Sequence, residues 1–143
     1  MAIGSILAVD FGTKRLGVAV TDAERRFVLP RDTIVRTILS ADLEVLRKLC
    51  SDDAVGEIAL GLPLNADGTE GPMAAAARAF GAALTEALAL PVLFVDERYT
   101  SEEAEERLRE RYPKDTRKRR ALRDRGAAVL ILRTYLDHGP IRP

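Results

Sequence analysis

The sequence is poor in the side chains on which several classes of protein depend. It holds one cysteine, one histidine and no tryptophan among 143 residues, and aromatic residues make up 5%. The single Cys50 excludes an internal disulfide and a zinc site built from several cysteines. The single His138 argues against a histidine-rich metal site or a Ser/His/Asp triad. Few aromatic rings also leave little support for binding by base stacking.

Long apolar runs are missing as well. No run reaches the roughly 18 residues of a membrane-spanning helix, so we expect no membrane insertion. Residues 1–5 lack the charged leader that opens a signal peptide, which predicts a cytoplasmic protein. The length suits one domain over 1–143, and 47% hydrophobic with 31% charged residues is typical of a globular chain.

Neither sign of charge is in excess, because 22 basic residues balance 22 acidic ones. The positive charge is nevertheless concentrated between Arg107 and Arg125, where only three acids oppose a run of arginine and lysine. A neutral chain is not expected to coat nucleic acid generally. A local basic surface therefore remains the relevant feature.

The order of patterned segments predicts an α/β fold. We expect strands over 6–10, 16–21, 28–35, 57–61 and 92–96. We expect helices beginning near 40 and 100 and spanning 73–90 and 121–137. Ser40 would cap the first helix. Hairpins join the first three strands and helices join the later ones, which predicts a mixed five-stranded sheet, antiparallel and then parallel, flanked by helices.

Two predicted strands end in acidic residues that the packing of an apolar strand does not require. Asp10 follows the first strand, and Asp96 and Glu97 follow the fifth. Active sites of open α/β sheets lie at the carboxyl ends of strands, although a solvated charge explains either acid alone equally well. Neighbouring carboxylates repel and need protons or cations. Mg²⁺ suits such an all-oxygen site that also takes substrate phosphate.

Four blocks of sequence stand out along the chain. They are VDFGTKRLGVA at 9–19, GLPLNADGT at 61–69, VDERYTS at 95–101 and DRGAAVLIL at 124–132 followed by Tyr135-Leu136. The blocks fall in order, span nearly the whole chain and together resemble the YqgF-type family. The family is described as Holliday-junction resolvases and as nucleases that mature the 5′ end of pre-16S ribosomal RNA. The resemblance implies a ribonuclease H-like fold and a metal-dependent endonuclease of structured nucleic acid.

The resemblance also implies a catalytic set. Asp10, Glu97 and Asp124 would be both the catalytic carboxylates and the metal ligands. Our own hypothesis for the mechanism is that Asp10 bridges two Mg²⁺ or Mn²⁺ ions about 3.5–4 Å apart. Without the resemblance, Asp124 would be interpreted as an acid paired with arginine on a solvated helix.

Residues near these acids are candidates for nucleic-acid contact. Thr13, Lys14 and Arg15 form the first hairpin turn, for which ordinary hairpin chemistry is an equal explanation. Asn65 lies in the loop after the fourth strand, where a plain turn competes. Arg98 would hold a phosphate or orient a carboxylate, and a salt bridge to a helix acid is equally consistent.

The basic run supplies the remaining candidates. A solvated basic face is the usual explanation of such a run, but this one leads into Asp124, which favours contact with phosphates. The residues that we single out are Lys114, Arg117, Lys118, Arg119, Arg120 and Arg123.

Two other functions compete with a nuclease. The segment Asp10-Phe11-Gly12-Thr13 is similar to a phosphate loop of ATP-binding domains of the actin and Hsp70 type, but those proteins need two such domains. A non-catalytic nucleic-acid-binding module would not need the three acids. The sequence does not decide between a four-way DNA junction and precursor ribosomal RNA as the substrate. Junction resolution would require a symmetric homodimer.

Overall fold

Five strands and three helices form the part of the chain that the computed structural model describes, which is residues 4–98, 110, 113–114 and 116–141. Side chains of residues 116–125 lie outside that part. The elements are β1 (Ser5–Phe11), β2 (Arg15–Thr21), β3 (Val28–Val35), α1 (Leu39–Asp52), β4 (Val55–Leu62), α2 (Pro72–Leu88), β5 (Val92–Asp96) and α3 (Thr116–His138).

The strands form one mixed sheet in the order β3-β2-β1-β4-β5. Strand β2 pairs antiparallel with both β1 and β3, whereas β1–β4 and β4–β5 are parallel. The central strands are apolar along nearly their whole length because helices cover both faces of the sheet. The predicted topology is confirmed, and it brings the carboxyl ends of β1, β4 and β5 to one edge.

Alternation along each strand divides the core into two layers. Leu7 and Val9 point to the face covered by α1 and α2, while Ile6 and Ala8 point to the face covered by α3. Small alanines dominate the second face of the central strands, so α3 packs closely against the sheet there. No helix in the described ranges is both long and apolar enough to cross a bilayer.

The start of α1 corrects the prediction that Ser40 caps the helix. The helix begins at Leu39, and Ile38 occupies the cap position without a side-chain hydrogen bond. The buried Asp42 carboxylate instead accepts hydrogen bonds from Thr37 N at 3.0 Å and Arg36 Nε at 3.1 Å. A carboxylate in the first turn therefore fixes the segment that enters the helix, and the N–H group it binds belongs to Thr37, just before the helix.

Two other helices differ from prediction at their ends. Helix α2 ends at Leu88 because Ala89 adopts a left-handed conformation with φ 54°. Helix α3 begins at Thr116, five residues before the predicted start, so much of the basic run belongs to the helix. The helix predicted to begin near residue 100 lies outside the described residues.

Candidate active site

The sheet brings Asp10 and Glu97 together at its carboxyl edge. Val9 in β1 pairs with Leu60 in β4, and Gly61 pairs with Val95 in β5. Asp10 and Glu97 each follow one of these paired residues by one or two positions. The two acids are therefore close in space although they are far apart in sequence, because β1, β4 and β5 are adjacent in the sheet.

Both carboxylates lie on the face that α3 covers. Ala8, Ala59 and Val95 belong to the core layer under α3. Side chains two positions further along each strand return to the same face, which places Asp10, Gly61 and Glu97 there. This edge of the α3 face is the candidate active site.

Gly61 provides the space that Glu97 occupies. A Cβ built on Gly61 would lie 2.4 Å from Glu97 Oε1 and 2.6 Å from Cδ1 of Ile131 in α3. No real Cβ tolerates such distances, so any other residue at this position would displace the Glu97 carboxyl or the helix. Sequence analysis missed this role of Gly61, although a glycine within a strand pattern is a signal of close approach.

Glu97 is held where its charged form is unfavourable. Burial, a hydrogen bond shared with Asp10 and the nearby charges of Asp10 and Asp96 raise the pKa of Glu97 to about 9. Two carboxyl groups within hydrogen-bonding reach of each other, with no cation between them, are satisfied by one shared proton. Such a pair of carboxylates could serve as ligands of a divalent cation.

Arg98 pairs with the Asp96 carboxylate, and its predicted contact with a phosphate stays a prediction. Its Nη2 lies 2.7 Å from Asp96 Oδ2, and its Nε and backbone N also donate to Asp96. Burial would raise the pKa of Asp96, but the hydrogen bonds and charge of Arg98 outweigh it and hold that pKa below its usual range. Asp96 therefore stays charged beside Glu97.

The loop between β4 and α2 closes on itself near Arg98. Asn65 Nδ2 donates to Thr69 Oγ1 at 2.9 Å, and Gly68 N donates to the Asn65 carbonyl at 2.8 Å. A Cβ on Gly68, whose φ is +88°, would lie 3.3 Å from Arg98 Nη1. The Asn65 side chain thus has a role inside the loop, and its predicted contact with nucleic acid stays a prediction.

A cleft of about 230 Å³ adjoins Asp10 on the side away from Glu97. The turn between β1 and β2 supplies one wall through the exposed residues Thr13, Lys14 and Arg15. Thr33 of β3 also lines the cleft, and no sequence pattern pointed to it. The three predicted turn residues therefore do lie beside the candidate catalytic carboxylate.

Arg36 fixes this turn from behind, and it too was missed from the sequence. Its Nη1 donates to the Gly12 carbonyl at 3.1 Å, and its backbone N donates to the Lys14 carbonyl at 2.9 Å. The guanidinium carbon lies 4.9 Å from the centroid of the Phe11 ring. Together with its ion pair to Asp42, these contacts hold the turn in one conformation.

The remaining predicted site residues are located only in part. Asp124 lies on α3, as do the predicted basic residues Arg117, Lys118, Arg119, Arg120 and Arg123, but their side chains are outside the described part. Lys114 is exposed in a turn before the helix. Within the described ranges, no group of three or more His, Cys, Asp or Glu side chains could hold a metal ion, and Asp10 and Glu97 stand as a pair.

Comparison with known proteins gives consistent results. A family model described as "RuvX: Holliday junction resolvase" matches residues 4–138. Two curated relatives are named "Putative pre-16S rRNA nuclease". The one from Syntrophomonas wolfei is 42% identical over 136 residues, covering 95% of this chain and 96% of the relative. The one from Anaeromyxobacter sp. is 44% identical over 131 residues, covering 92% and 95%.

Solved structures of Thermus thermophilus RuvC share the fold. Free RuvC aligns with a TM-score of 0.60 at 13% identity, covering 97% of this chain and 99% of RuvC. RuvC in complex with a Holliday junction substrate aligns with a TM-score of 0.58 at 12% identity, covering 96% and 99%. At this identity the likeness concerns the fold alone, and it confirms the predicted ribonuclease H-like architecture.

Proposed function

This chain belongs to the RuvX family of Holliday junction resolvases, and on that premise we propose that it is a divalent-metal-dependent endonuclease of structured nucleic acid. The observation that carries the proposal is the apposition of Asp10 and Glu97 at the carboxyl edge of the sheet, with Gly61 making the space. An ion pair that only stabilises a fold joins opposite charges. Two acids brought together so that they share a proton are instead typical of a functional site. We also propose that this activity is cytoplasmic.

The direction of α3 supports a third carboxylate. Ile131 lies beside Gly61 near the carboxyl end of β4, whereas the hydroxyl of Tyr135 donates to Glu57 near its beginning. The helix therefore runs antiparallel to β4. Its residues before Ile131 extend towards and past the strand ends that carry the acidic pair.

The helical repeat supports Asp124 in particular. It stands four residues before Ala128 and seven before Ile131, and both of these side chains are fully buried against the sheet. Spacings of four and seven residues return to the same side of an α-helix. We therefore propose Asp124 as the third acid of the site.

The residues present fit one or two divalent cations. Asp10 and Glu97 would hold the ions, joined by Asp124, and their oxygen donors suit Mg²⁺ or Mn²⁺. The bound ions would supply Lewis-acid stabilisation and a water of lowered pKa. Glu97 must first release the proton that it shares with Asp10. Lys14 and Arg15 would hold backbone phosphates by charge, which positions the scissile bond over Asp10.

Two substrates deserve direct comparison. The curated relatives carry the name of a pre-16S rRNA nuclease, and the family model names Holliday junctions. Symmetric cleavage of a junction needs two active sites and hence a homodimer, whereas 5′-end maturation of an RNA needs only one. The oligomeric state on each substrate therefore distinguishes the two activities.

The first experiment measures cleavage of a synthetic four-way junction and of a precursor 16S rRNA fragment, with Mg²⁺, Mn²⁺ or EDTA. We expect cleavage with either cation and none with EDTA. Asp10→Asn should abolish cleavage while binding remains close to that of the wild type. The matched control is Asp52→Asn, an exposed position at the end of α1, which should cleave normally.

Two results would contradict the proposal. Full cleavage by Asp10→Asn, prepared free of host nuclease, would remove Asp10 from the catalytic set. Tight binding of both substrates by the wild type, with no cleavage under any cation, would make the chain a non-catalytic binding module.

A further inference from the structure

The pairing of β2 with β3 contains one extra residue next to the candidate active site. Val18 pairs with Arg31 and Leu16 pairs with Ile34, with a register shift between them. Gly17 alone on β2 thus faces two residues on β3, Asp32 and Thr33. This is a β-bulge, a device that re-aims side chains and is frequent beside active sites.

The bulge turns Thr33 towards the face that carries Asp10. Continuation of the Val18–Arg31 register would have placed Thr33 opposite Leu16, whose side chain belongs to the core under α1 and α2. Instead Ile34 lies opposite Leu16 and packs into that core. Thr33, the residue before Ile34, consequently faces the opposite side of the sheet, where it lines the cleft.

A row of positions now crosses the sheet on the α3 face. Asp10 pairs with Gly17 on one side, and on the other side it adjoins Gly61 in β4. Gly61 leaves the space that Glu97 fills. Gly17, like Gly61, carries no side chain. Thr33 lies next to Gly17 on β3 and forms the wall of the cleft opposite Asp10.

We propose that this cleft is a subsite for the backbone phosphate next to the scissile one, and that Thr33 is a positioning residue that donates its hydroxyl hydrogen bond to that phosphate. The inference rests on the proposed nuclease function and names where the substrate strand runs. The strand would pass from Asp10 over Gly17 towards the edge strand β3. The absence of a side chain at Gly17 would let the backbone approach the sheet.

The chemistry of the lining fits a phosphate. Lys14 and Arg15 bring positive charge, Thr13 and Thr33 bring hydroxyl groups, and all four line one cleft of about 230 Å³. Phosphate contacts of this kind position a substrate without reading its sequence. Such recognition suits an enzyme that selects the shape of a nucleic acid.

The wall of the cleft is also held in place before any ligand arrives. Arg36 bonds the carbonyls of Gly12 and Lys14, at the two sides of the exposed Thr13. Asp42, only 2% exposed, holds the Arg36 guanidinium in turn. A subsite that is already formed loses less entropy when it binds its ligand.

The test compares Thr33→Val, which removes the hydroxyl at constant shape, with Thr33→Ser, which keeps it. A hydrogen bond to a charged group is large enough that we expect Thr33→Val to raise KM about tenfold or more with a smaller change in kcat. Thr33→Ser should stay within about threefold of the wild type. The matched control is Thr37→Val, an exposed threonine that lies outside the cleft.

A second measurement identifies the phosphate and does not depend on cleavage. Wild-type protein in EDTA is titrated with substrates in which single phosphates are replaced by neutral methylphosphonates. We expect one position beside the cleavage site at which neutralisation weakens binding to the wild type, and we expect that penalty to shrink in Thr33→Val. Gly17→Ala, which adds a methyl group at the floor of the cleft, should weaken binding of the same substrate.

The outcomes separate this inference from the proposed function. If Thr33→Val equals Thr37→Val in KM and in every methylphosphonate penalty, the subsite assignment is wrong even when the enzyme cleaves normally. If the penalty moves with Thr33 and no substrate is ever cut, the cleft is a phosphate-binding site, while the nuclease proposal and the position next to a scissile phosphate fail.

Discussion

The folded structure destabilises the charged form of the Glu97 side chain. Its pKa is raised above the ordinary value of 4.5, so the folded metal-free chain keeps a proton that the unfolded chain has already released. The folded state thus binds more protons than the unfolded state between these two pKa values. By linkage, the metal-free protein must lose stability as the pH rises through that window.

We therefore expect Glu97→Gln to raise the melting temperature of the metal-free protein at pH 8 while it abolishes cleavage. The amide keeps the shape and can donate to Asp10, but it carries no charge that burial would penalise. The gain should fade towards pH 4, where Glu97 is protonated in both states. Thermal unfolding in EDTA across this pH range measures the effect.

The control for this prediction is Glu86→Gln, at an exposed position in α2. It should show no comparable pH-dependent gain. A melting temperature for Glu97→Gln below that of the wild type at pH 8 would show that Glu97 is not disfavoured in its charged form.

Gly61 is the second residue on which the site depends. An alanine there would place Cβ 2.4 Å from Glu97 Oε1 and 2.6 Å from Ile131 Cδ1, so one of the two must move. A displacement of about 1 Å at a catalytic group can cost 10²-fold in rate, and we expect Gly61→Ala to lose about that much cleavage activity. Single-turnover cleavage rates at saturating metal provide the measurement.

Gly71→Ala is the matched control, because its Cβ would meet Asn65 only at an ordinary 3.6 Å. It should keep wild-type cleavage. Unchanged activity in Gly61→Ala would mean that the Glu97 carboxyl does not need its position over β4.

At the scale of elements, Arg36 and Asp42 join the β1–β2 turn to the start of α1. Asp42 is 2% exposed, so Arg36→Ala would leave a buried carboxylate whose described partner is Thr37 N. Breaking a buried pair in this way costs about 3–5 kcal/mol, and we expect the free energy of unfolding to fall by an amount of that order. Urea denaturation measures it, and the double variant Arg36→Ala/Asp42→Ala should lose less than the sum of the single losses.

A surface pair offers the comparison. Arg47 and Glu44 form an exposed ion pair on α1, and Arg47→Ala should unfold at nearly the wild-type urea concentration. Equal losses for Arg36→Ala and Arg47→Ala would show that burial of Asp42 adds nothing.

The elements also show where sequence patterns carry information. Strands β3 and β5 have the predicted bounds, and the central strands were predicted to within two residues at each end, because their apolar runs are required by a sheet covered on both faces. The same reasoning pointed to the acids at the strand ends, Asp10 and the Asp96-Glu97 pair, since each follows such a run. Local pattern did not choose Glu97 over Asp96, which only the resemblance to the YqgF-type family implied.

Other features depend on partners that are distant in sequence. The prediction that Ser40 caps α1 was wrong because Arg36 and Asp42 form an ion pair at the start of this helix. That pair is stabilised by its burial against the turn at Gly12. Thr33 carries no local signal, since a bulge exists only relative to the facing strand. The early start of α3 was missed because a basic run has no apolar stripe to mark its helical period.

At the scale of the whole molecule, a net charge of zero hides an uneven distribution. Basic side chains concentrate in 107–125 and in the turn at Lys14 and Arg15, while much of the acidic charge lies elsewhere. A neutral chain gains little from general attraction to a polyanion, so its affinity must come from local contacts with phosphates. These contacts can be counted, because each one releases counterions when it forms.

We expect binding of a four-way DNA junction to weaken steeply with salt, with a log–log slope of about −0.9 for each phosphate contacted. Lys14→Ala should make the slope shallower by about one contact, because Lys14 lies in the cleft beside Asp10. Lys48→Ala, at an exposed position on α1, should leave it unchanged, since α1 lies on the opposite face of the sheet. Fluorescence anisotropy of a labelled junction in EDTA, between 50 and 200 mM salt, gives the slopes. Equal slopes for the wild type and Lys14→Ala would remove the turn from the nucleic-acid interface and leave α3 as the basic surface to test next.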